Sequence, residues 1–503
     1  MEVMAEANEQ PALLNQRLDE GKKNRRPRNA AGARKPSAAK SGARRTRRPS
    51  KETELRSAEN HNSSGQDVSS EEEQHEPNSQ ISLPISAPAE NVAELAVSAD
   101  QSDASDSNEM AEQPAVQETA PPRLQEPAPA VETPKYEPVF GEGLIEVSGK
   151  GFGFLRDPKR NYTQSPQDIF VTPEVVRKHA LRDGLWIKGE IRRGSRGPQL
   201  FKLTQINGED PEKYRNLPVF EELTSINPLE RIRLETVPDR YTTRVMDLMT
   251  PIGKGQRGLI VAPPRTGKTT LLQHIASAVV KNHPEMKLII LLVDERPEEV
   301  TEIRRTVPQA DIMASSNDSD IKSHTRIAQL AIERAKRLVE AGKDVFVLLD
   351  SLTRVGRAFN NAMAGGGRTM SGGMDSRAME IPRKLFAAAR NTEEAGSLTI
   401  MATALIETGS KMDELIFQEF KGTGNMEMVL DRQVSDQRTY PAIDIFKSGT
   451  RREELLLAVN DLEKINTIRR GLAGHRPPEA IERLLSFLKK FPTNAQMLRE
   501  IPG

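Results

Sequence analysis

The chain has 503 residues, 72 Lys+Arg against 72 Asp+Glu, a single Trp and no Cys. That length holds two or three domains with a sizeable core, and the missing thiols exclude disulfides, thiolate metal sites and cysteine nucleophiles. The longest purely aliphatic run, Leu288 to Val293, is six residues, far short of the roughly 20 needed to span a bilayer, and Glu2, Glu6 and Glu9 spoil a secretory leader, so a soluble cytoplasmic protein with no membrane partner is expected.

Charge is not evenly spread. Residues 1–138 hold 17 basic and 24 acidic residues, which leaves 55 and 48 for the rest, a mildly basic body. Residues 1–135 contain no Phe, Trp or Tyr; a segment this poor in apolar surface cannot offset its conformational entropy, and 1–138 is read as a disordered, low-complexity tail. Within it, Lys22 to Arg48 carries twelve basic residues and no acid, whereas Ala58 to Pro122 has no Lys or Arg. The basic arm suits non-specific, salt-sensitive contact with nucleic acid; a solvated entropic tail is the alternative.

From 139 to 208 the pattern is of short strands with Gly-marked turns: Gly143 to Arg156, Asp168 to Val171, a strand pair over Asp183 to Arg192, and Phe201 to Ile206, with a helix over Pro173 to Leu181. About 70 residues with five strands suit a small OB or cold-shock-like barrel. Phe152 and Phe154 alternate onto one face of a strand, Phe170 lies on a neighbour, and Arg156 is beside them. Exposed, such rings stack unpaired bases; turned inward, they are merely the barrel core.

A polar connector, 209–230, leads into an α/β region at 231–503. Apolar strands at Arg257 to Ala262, Lys287 to Val293, Asp344 to Leu349 and Ser397 to Thr403 alternate with helical patterns at Thr269 to Lys281, Pro297 to Val307, Ser323 to Ala341 and Ala378 to Arg390. Uninterrupted apolar strands separated by helices predict a doubly wound parallel sheet buried on both faces.

The first of these strands runs into Ala262-Pro-Pro-Arg-Thr-Gly-Lys-Thr269, a phosphate-binding turn with Ala in place of the usual first glycine. Unpaired N–H groups at the start of the following helix suit phosphate, with Lys268 reaching the β and γ phosphates of ATP and the Thr269 hydroxyl in the Mg²⁺ shell. Arg265, Thr266, Gly267 and Thr270 complete the cradle. The strand ending Leu348-Leu349 is followed by Asp350, the position that holds Mg²⁺ in nucleoside triphosphatases. Glu295, in Asp294-Glu-Arg296, stands at the end of another strand, where a carboxylate orients and polarises water. An acid after a strand is often only a helix cap; together with the phosphate turn, both are read as catalytic. Two glycine-rich stretches, Ala364 to Gly373 and Glu407 to Asp413, each carry one cation, Arg368 or Lys411, and suit either pore-lining or solvent loops.

Ala262-Pro-Pro-Arg-Thr-Gly-Lys-Thr, Asp294-Glu-Arg-Pro-Glu-Glu-Val, Thr408-Gly-Ser-Lys-Met-Asp-Glu and Phe420-Lys-Gly-Thr-Gly-Asn-Met-Glu follow a Gly-Phe-Gly-Phe-Leu-Arg barrel in that order. The set resembles the bacterial transcription termination factor Rho family from about Gly141 to Leu488. The resemblance implies a RecA-like ATPase in a homohexameric ring that captures single-stranded RNA, pulls it through a central pore as an RNA-dependent ATPase and helicase, and acts on the RNA polymerase elongation complex alongside antitermination and elongation factors. It also implies that Lys268, Glu295 and Asp350 are catalytic, that Arg451 is an arginine finger reaching the neighbouring subunit's ATP, and that Arg296, Arg438 and Tyr440 line the nucleotide site, Tyr440 stacking on adenine. RNA contacts fall on Phe152, Phe154, Arg156, Asp168 and Phe170 in the barrel and on Arg368, Thr369 and Lys411 in the pore loops. The family's small helical subdomain is replaced here by the tail. The second aromatic and the acid of the family's cytosine pocket match Leu200 and Pro198, which implies a relaxed preference for cytosine. A rotary ATP synthase subunit, or an RNA-binding protein with a vestigial ATPase, are the competing readings.

Overall fold

The computed structural model describes residues 138–194, 197–363, 373–375 and 377–502; the tail assigned to disorder, and Arg368 and Thr369, lie outside them. The first elements are β1 (Val139–Val147), β2 (Gly153–Arg156), β3 (Ile169–Val171), α1 (Pro173–Lys178), β4 (Trp186–Gly194) and β5 (Gly197–Ile206). They close into a barrel in the order β1-β2-β3-β5-β4. Ile145, Leu155, Val171, Ile187 and Leu200 fill its interior. Asp183 to Arg192, expected as a strand pair, instead contributes a single strand whose partners are β1 and β5.

After a connector, α2 (Tyr241–Met249) precedes the large sheet. Its strands are β6 (Arg257–Ala262), β7 (Lys287–Glu295), β8 (Asp311–Ser316), β9 (Val345–Asp350), β10 (Ser397–Leu405), β11 (Met426–Val429) and β12 (Gly449–Thr450), lying side by side in the order β8-β7-β9-β10-β6-β11-β12. All neighbours are parallel except β11 and β12. Between them run α3 (Lys268–Asn282), α4 (Pro297–Thr306), α5 (Ile321–Glu340), α6 (Leu352–Met363), α7 (Glu380–Ala387) and α8 (Lys411–Lys421).

The apolar strand runs are explained by burial on two sides. Ile260, Ile290 and Leu348 join one core cluster, while their neighbours Leu259, Val261, Leu291 and Val347 join the other, as a side-chain period of two requires. Strand β8 and helix α6 were not anticipated, because Asp311-Ile-Met-Ala-Ser-Ser316 is short and polar at its ends and the α6 segment is interrupted by Gly356. Helix α7 is shorter than the pattern over Ala378 to Arg390, since Arg390 already belongs to a strand beside β10. Three further helices, Val459–Leu472, Pro477–Leu488 and Asn494–Glu500, pack Ile465, Leu484 and Met497 onto the first core. No described helix is long and apolar enough to cross a membrane.

Candidate nucleotide site and base-stacking face

At the carboxyl end of β6 the chain passes through Arg265 and Gly267, with φ of 68° and 83°, into α3. Glycine tolerates that left-handed conformation and lets the backbone approach a ligand. No side chain caps α3, so its first N–H groups are left to an anion. The Thr266 hydroxyl is buried and donates to the Pro263 carbonyl at 2.8 Å, so it braces the turn from inside. Thr269 is half-buried, and Arg265 and Thr270 are exposed on the outer side.

Three strands then deliver the charged cluster. Lys268 Nζ donates to both oxygens of Asp350 at 2.5 Å. The Thr403 hydroxyl on β10 donates to the same carboxylate at 2.7 Å. On β7 the register slips between Val293 and Glu295, with Asp294 at φ 55°, and such a bulge re-aims the residue after it. Glu295 is buried, accepts from Arg354 Nη2 at 3.3 Å through one oxygen, and has no partner for the other. Burial first, and the nearby Asp350 carboxylate second, push the Glu295 acid up to about 7, against the pull of Lys268 and Arg354. That value puts it near the working range of a general base. Arg354, in the first turn of α6, also donates to the Asp294 carbonyl; neither it nor Thr403 was singled out from sequence.

Tyr440 stands against the turn, within van der Waals reach of a side chain at Gly267. It helps to wall a cleft of about 510 Å³ with Tyr241, Thr270, His274 and Leu430, a shape suited to a flat base next to the phosphate turn. Tyr241 and His274 carry no motif, and only folding brings α2 and α3 to this wall. Arg438 is exposed at φ 60°, and Arg296 is exposed as the residue before α4, 3.7 Å from Glu299. Neither is drawn into the Lys268–Asp350–Glu295 cluster.

Arg451 is not brought to that cluster either. It is exposed and follows β12, where Thr450 pairs with Met426, and Met426 pairs with Gly258 at the start of β6. Four residues of strand, roughly 13 Å, separate that level from the phosphate turn, and β12 forms the edge of the sheet.

On the barrel, the rings of Phe152, Phe154 and Phe170 lie pairwise 5.7 Å apart and are half-buried, outside the barrel core. The core alternative for them is thereby excluded. Arg156 is placed differently from a free surface cation: it is 6% exposed, closed between Glu146 at 2.6 Å and Asp168, with its guanidinium 5.1 Å from the Phe154 ring centre. Leu200 points into the barrel core, so it lines no pocket on this face. The bulged residue beside it, Phe201, is 52% exposed, with the Arg192 guanidinium 3.2 Å above its ring. Lys411 is exposed at the start of α8, next to an Asp413 carboxylate fixed by Arg357 and by the Thr408 hydroxyl at 2.6 Å.

With these sites in view, the comparisons with known proteins are decisive. Residues 141–212 match the Rho termination factor RNA-binding domain, and residues 242–450 match the nucleotide-binding domain of the ATP synthase alpha/beta family. The transcription termination factor Rho of Cereibacter sphaeroides is 52% identical over 365 residues, 71% of this chain and 86% of that protein. This chain belongs to the Rho family. The factors of Aquifex aeolicus and Pseudomonas aeruginosa are each 50% identical, over 72% and 71% of this chain and 84% and 87% of their own lengths. The chain thus combines a Rho RNA-binding barrel with an ATPase domain.

Proposed function

We propose that this chain is the protomer of a homohexameric Rho ring: an RNA-dependent ATPase and helicase that holds single-stranded RNA on its barrels, draws it through a central pore, and terminates transcription in the cytoplasm by acting on the RNA polymerase elongation complex. The observation that carries the reading is the division of the hydrolytic set. Lys268, Asp350 and Glu295 converge in one chain, while Arg451 is exposed at the far edge of the same sheet. A finger in that place serves a neighbouring copy.

The donor set also fits Mg²⁺. Among the described residues no group of three or more His, Asp or Glu converges as a metal cage, and Mg²⁺ needs none, being held by one or two protein oxygens with phosphates and waters. The Thr269 hydroxyl and the Asp350 carboxylate are such oxygens, and the ion would neutralise charge on the phosphates. Lys268 then exchanges Asp350 for the β and γ phosphates, Glu295 accepts the proton of the attacking water, and Tyr440 covers the adenine. Arg451 from the next copy stabilises the charge that develops on the transferred group. Arg438 and Arg296, both exposed, make contact across the subunit boundary. On the RNA side, Phe152, Phe154 and Phe170 stack bases, the Arg156–Asp168 pair frames them, and Lys411, Arg368 and Thr369 face the strand in the pore. Antitermination and elongation factors are the expected protein partners.

Steady-state ATP hydrolysis by the full chain, alone and with poly(C), poly(U) or duplex DNA, tests this reading. Activity is expected with both RNAs, at similar rates because Leu200, the match to the pocket's second aromatic, is turned into the barrel core. Hydrolysis indifferent to RNA would instead favour a rotary or regulatory ATPase.

A further inference from the structure

The stacking face of the barrel is joined to the loop of the catalytic glutamate by two runs of polar contacts that meet through helix α5. Glu146 on β1 accepts from Arg156 at 2.6 Å and, through the same oxygen, from Arg326 of α5 at 3.1 Å. Arg326 also donates to the Tyr162 carbonyl at 2.7 Å. Two residues earlier on α5, His324 shares a hydrogen bond of 2.9 Å with the Ser315 hydroxyl, whose oxygen accepts the N–H of Asp294 at 3.4 Å. Asp294 immediately precedes Glu295.

A second strut runs beside the first. Asn161 and Tyr162, both left-handed at φ 55° and 57°, form a turn of the barrel set against β8. The Asn161 amide accepts from the Ala314 N–H at 3.1 Å and donates to the Ala314 carbonyl, and the Tyr162 hydroxyl donates to Asp311. Strand β8 is the edge of the sheet, and the barrel turn covers it in place of another strand.

We propose that Arg326 and Asn161 are positioning residues through which the barrel, when it holds RNA, sets the Glu295 loop and so raises the rate of hydrolysis. The idea rests on the stacking face being the RNA face. Two guanidinium and two carboxylate groups, Arg156, Arg326, Glu146 and Asp168, form a neutral set with side chains 20% exposed or less, where salt screens little. A base stacked on Phe154 presses on the Arg156 guanidinium, which stands 5.1 Å from that ring's centre, and disturbs its contact with Glu146, whose other partner is Arg326. Helix α5 carries that change to His324, Ser315 and the Asp294 N–H.

The test uses the full-length protein and the variants Arg326→Ala, Arg326→Lys and Asn161→Ala. Three quantities are read: affinity for a short fluorescent oligocytidylate, ATP hydrolysis without RNA, and maximal hydrolysis with poly(C). Arg326→Ala is expected to keep the first two and to lose about tenfold in the third, within the range of coupling between sites. Arg326→Lys should recover part of the loss, and Asn161→Ala should shift the same quantity. Unchanged maximal stimulation, or oligonucleotide affinity falling by the same factor as stimulation, overturns the proposal. Phe154→Ala is measured in parallel: undiminished oligonucleotide binding there removes the premise about the RNA face, whatever Arg326 does. Should thermal melting show Arg326→Ala to be unfolded, full stimulation in both remaining variants overturns the proposal.

Discussion

At the nucleotide end of the sheet Lys268 and Asp350 touch and Glu295 stands by with one oxygen unpaired, whereas on the barrel Arg156 is closed between two acids and three rings are left to bind. On the proposed function, the contrast follows from what each region handles. Phosphoryl transfer develops charge, so its site holds ion pairs that can be exchanged and an acid poised to titrate. Base capture needs flat apolar area, so the cation there is neutralised and serves as a frame. So read, one region works through charge and the other through stacking.

Three perturbations break or sharpen that contrast. The largest effect is expected from Arg451→Ala, on the proposal that a neighbouring copy uses that guanidinium. Turnover should fall by about 10³ to 10⁵ with ATP affinity nearly intact, as read by single-turnover kinetics and equilibrium nucleotide binding; an equal loss of binding would count against action in trans. Next comes Glu295. Its acid is pushed up to about 7, chiefly by burial, and the carboxylate is the form that accepts a proton. RNA-stimulated kcat should therefore rise with pH through about 7 and be lost as pH falls below it. Glu295→Gln should remove both that limb and about 10² to 10⁴ of the rate.

The smallest effect tests the stacking side. Phe152→Ala should weaken RNA binding by about 1 to 3 kcal/mol per lost stack, measured by fluorescence anisotropy over a salt series. The slope of affinity against salt should not change, since no phosphate contact is removed. A flatter slope would show that the ring face binds through charge after all, and the contrast with the nucleotide site would collapse.

Legibility followed chain distance. The phosphate turn was readable because strand, glycine turn and helix are contiguous, and Asp350 and Glu295 because each ends an apolar run that had to be a buried strand. The stacking rings were readable as an alternation, but not their exposure. Leu200 shows the limit: its match to an aromatic position suggested a pocket wall, yet β4 and β5 shift register where Glu190 pairs with Lys202 and Ile191 with Leu200. Leu200 therefore turns inward and the unpaired Phe201 turns out. A bulge costs one residue and leaves no compositional mark.

By itself, then, the sequence determined the order of elements, the phosphate cradle, the acids at the strand ends and membership of the Rho family, because each depends on residues adjacent in the chain or on motifs in fixed succession. Only the tertiary structure decided that Arg354 and Thr403 hold the two acids, that Tyr241 and His274 wall the cleft beside Tyr440, that Arg451 is exposed beside the edge strand β12 at the level where β6 begins, and that Glu146 is shared by Arg156 and Arg326. Those groups are tens to hundreds of residues apart. Their meeting is fixed by sheet order, a register slip and the barrel turn that covers β8, none of which has a local signature.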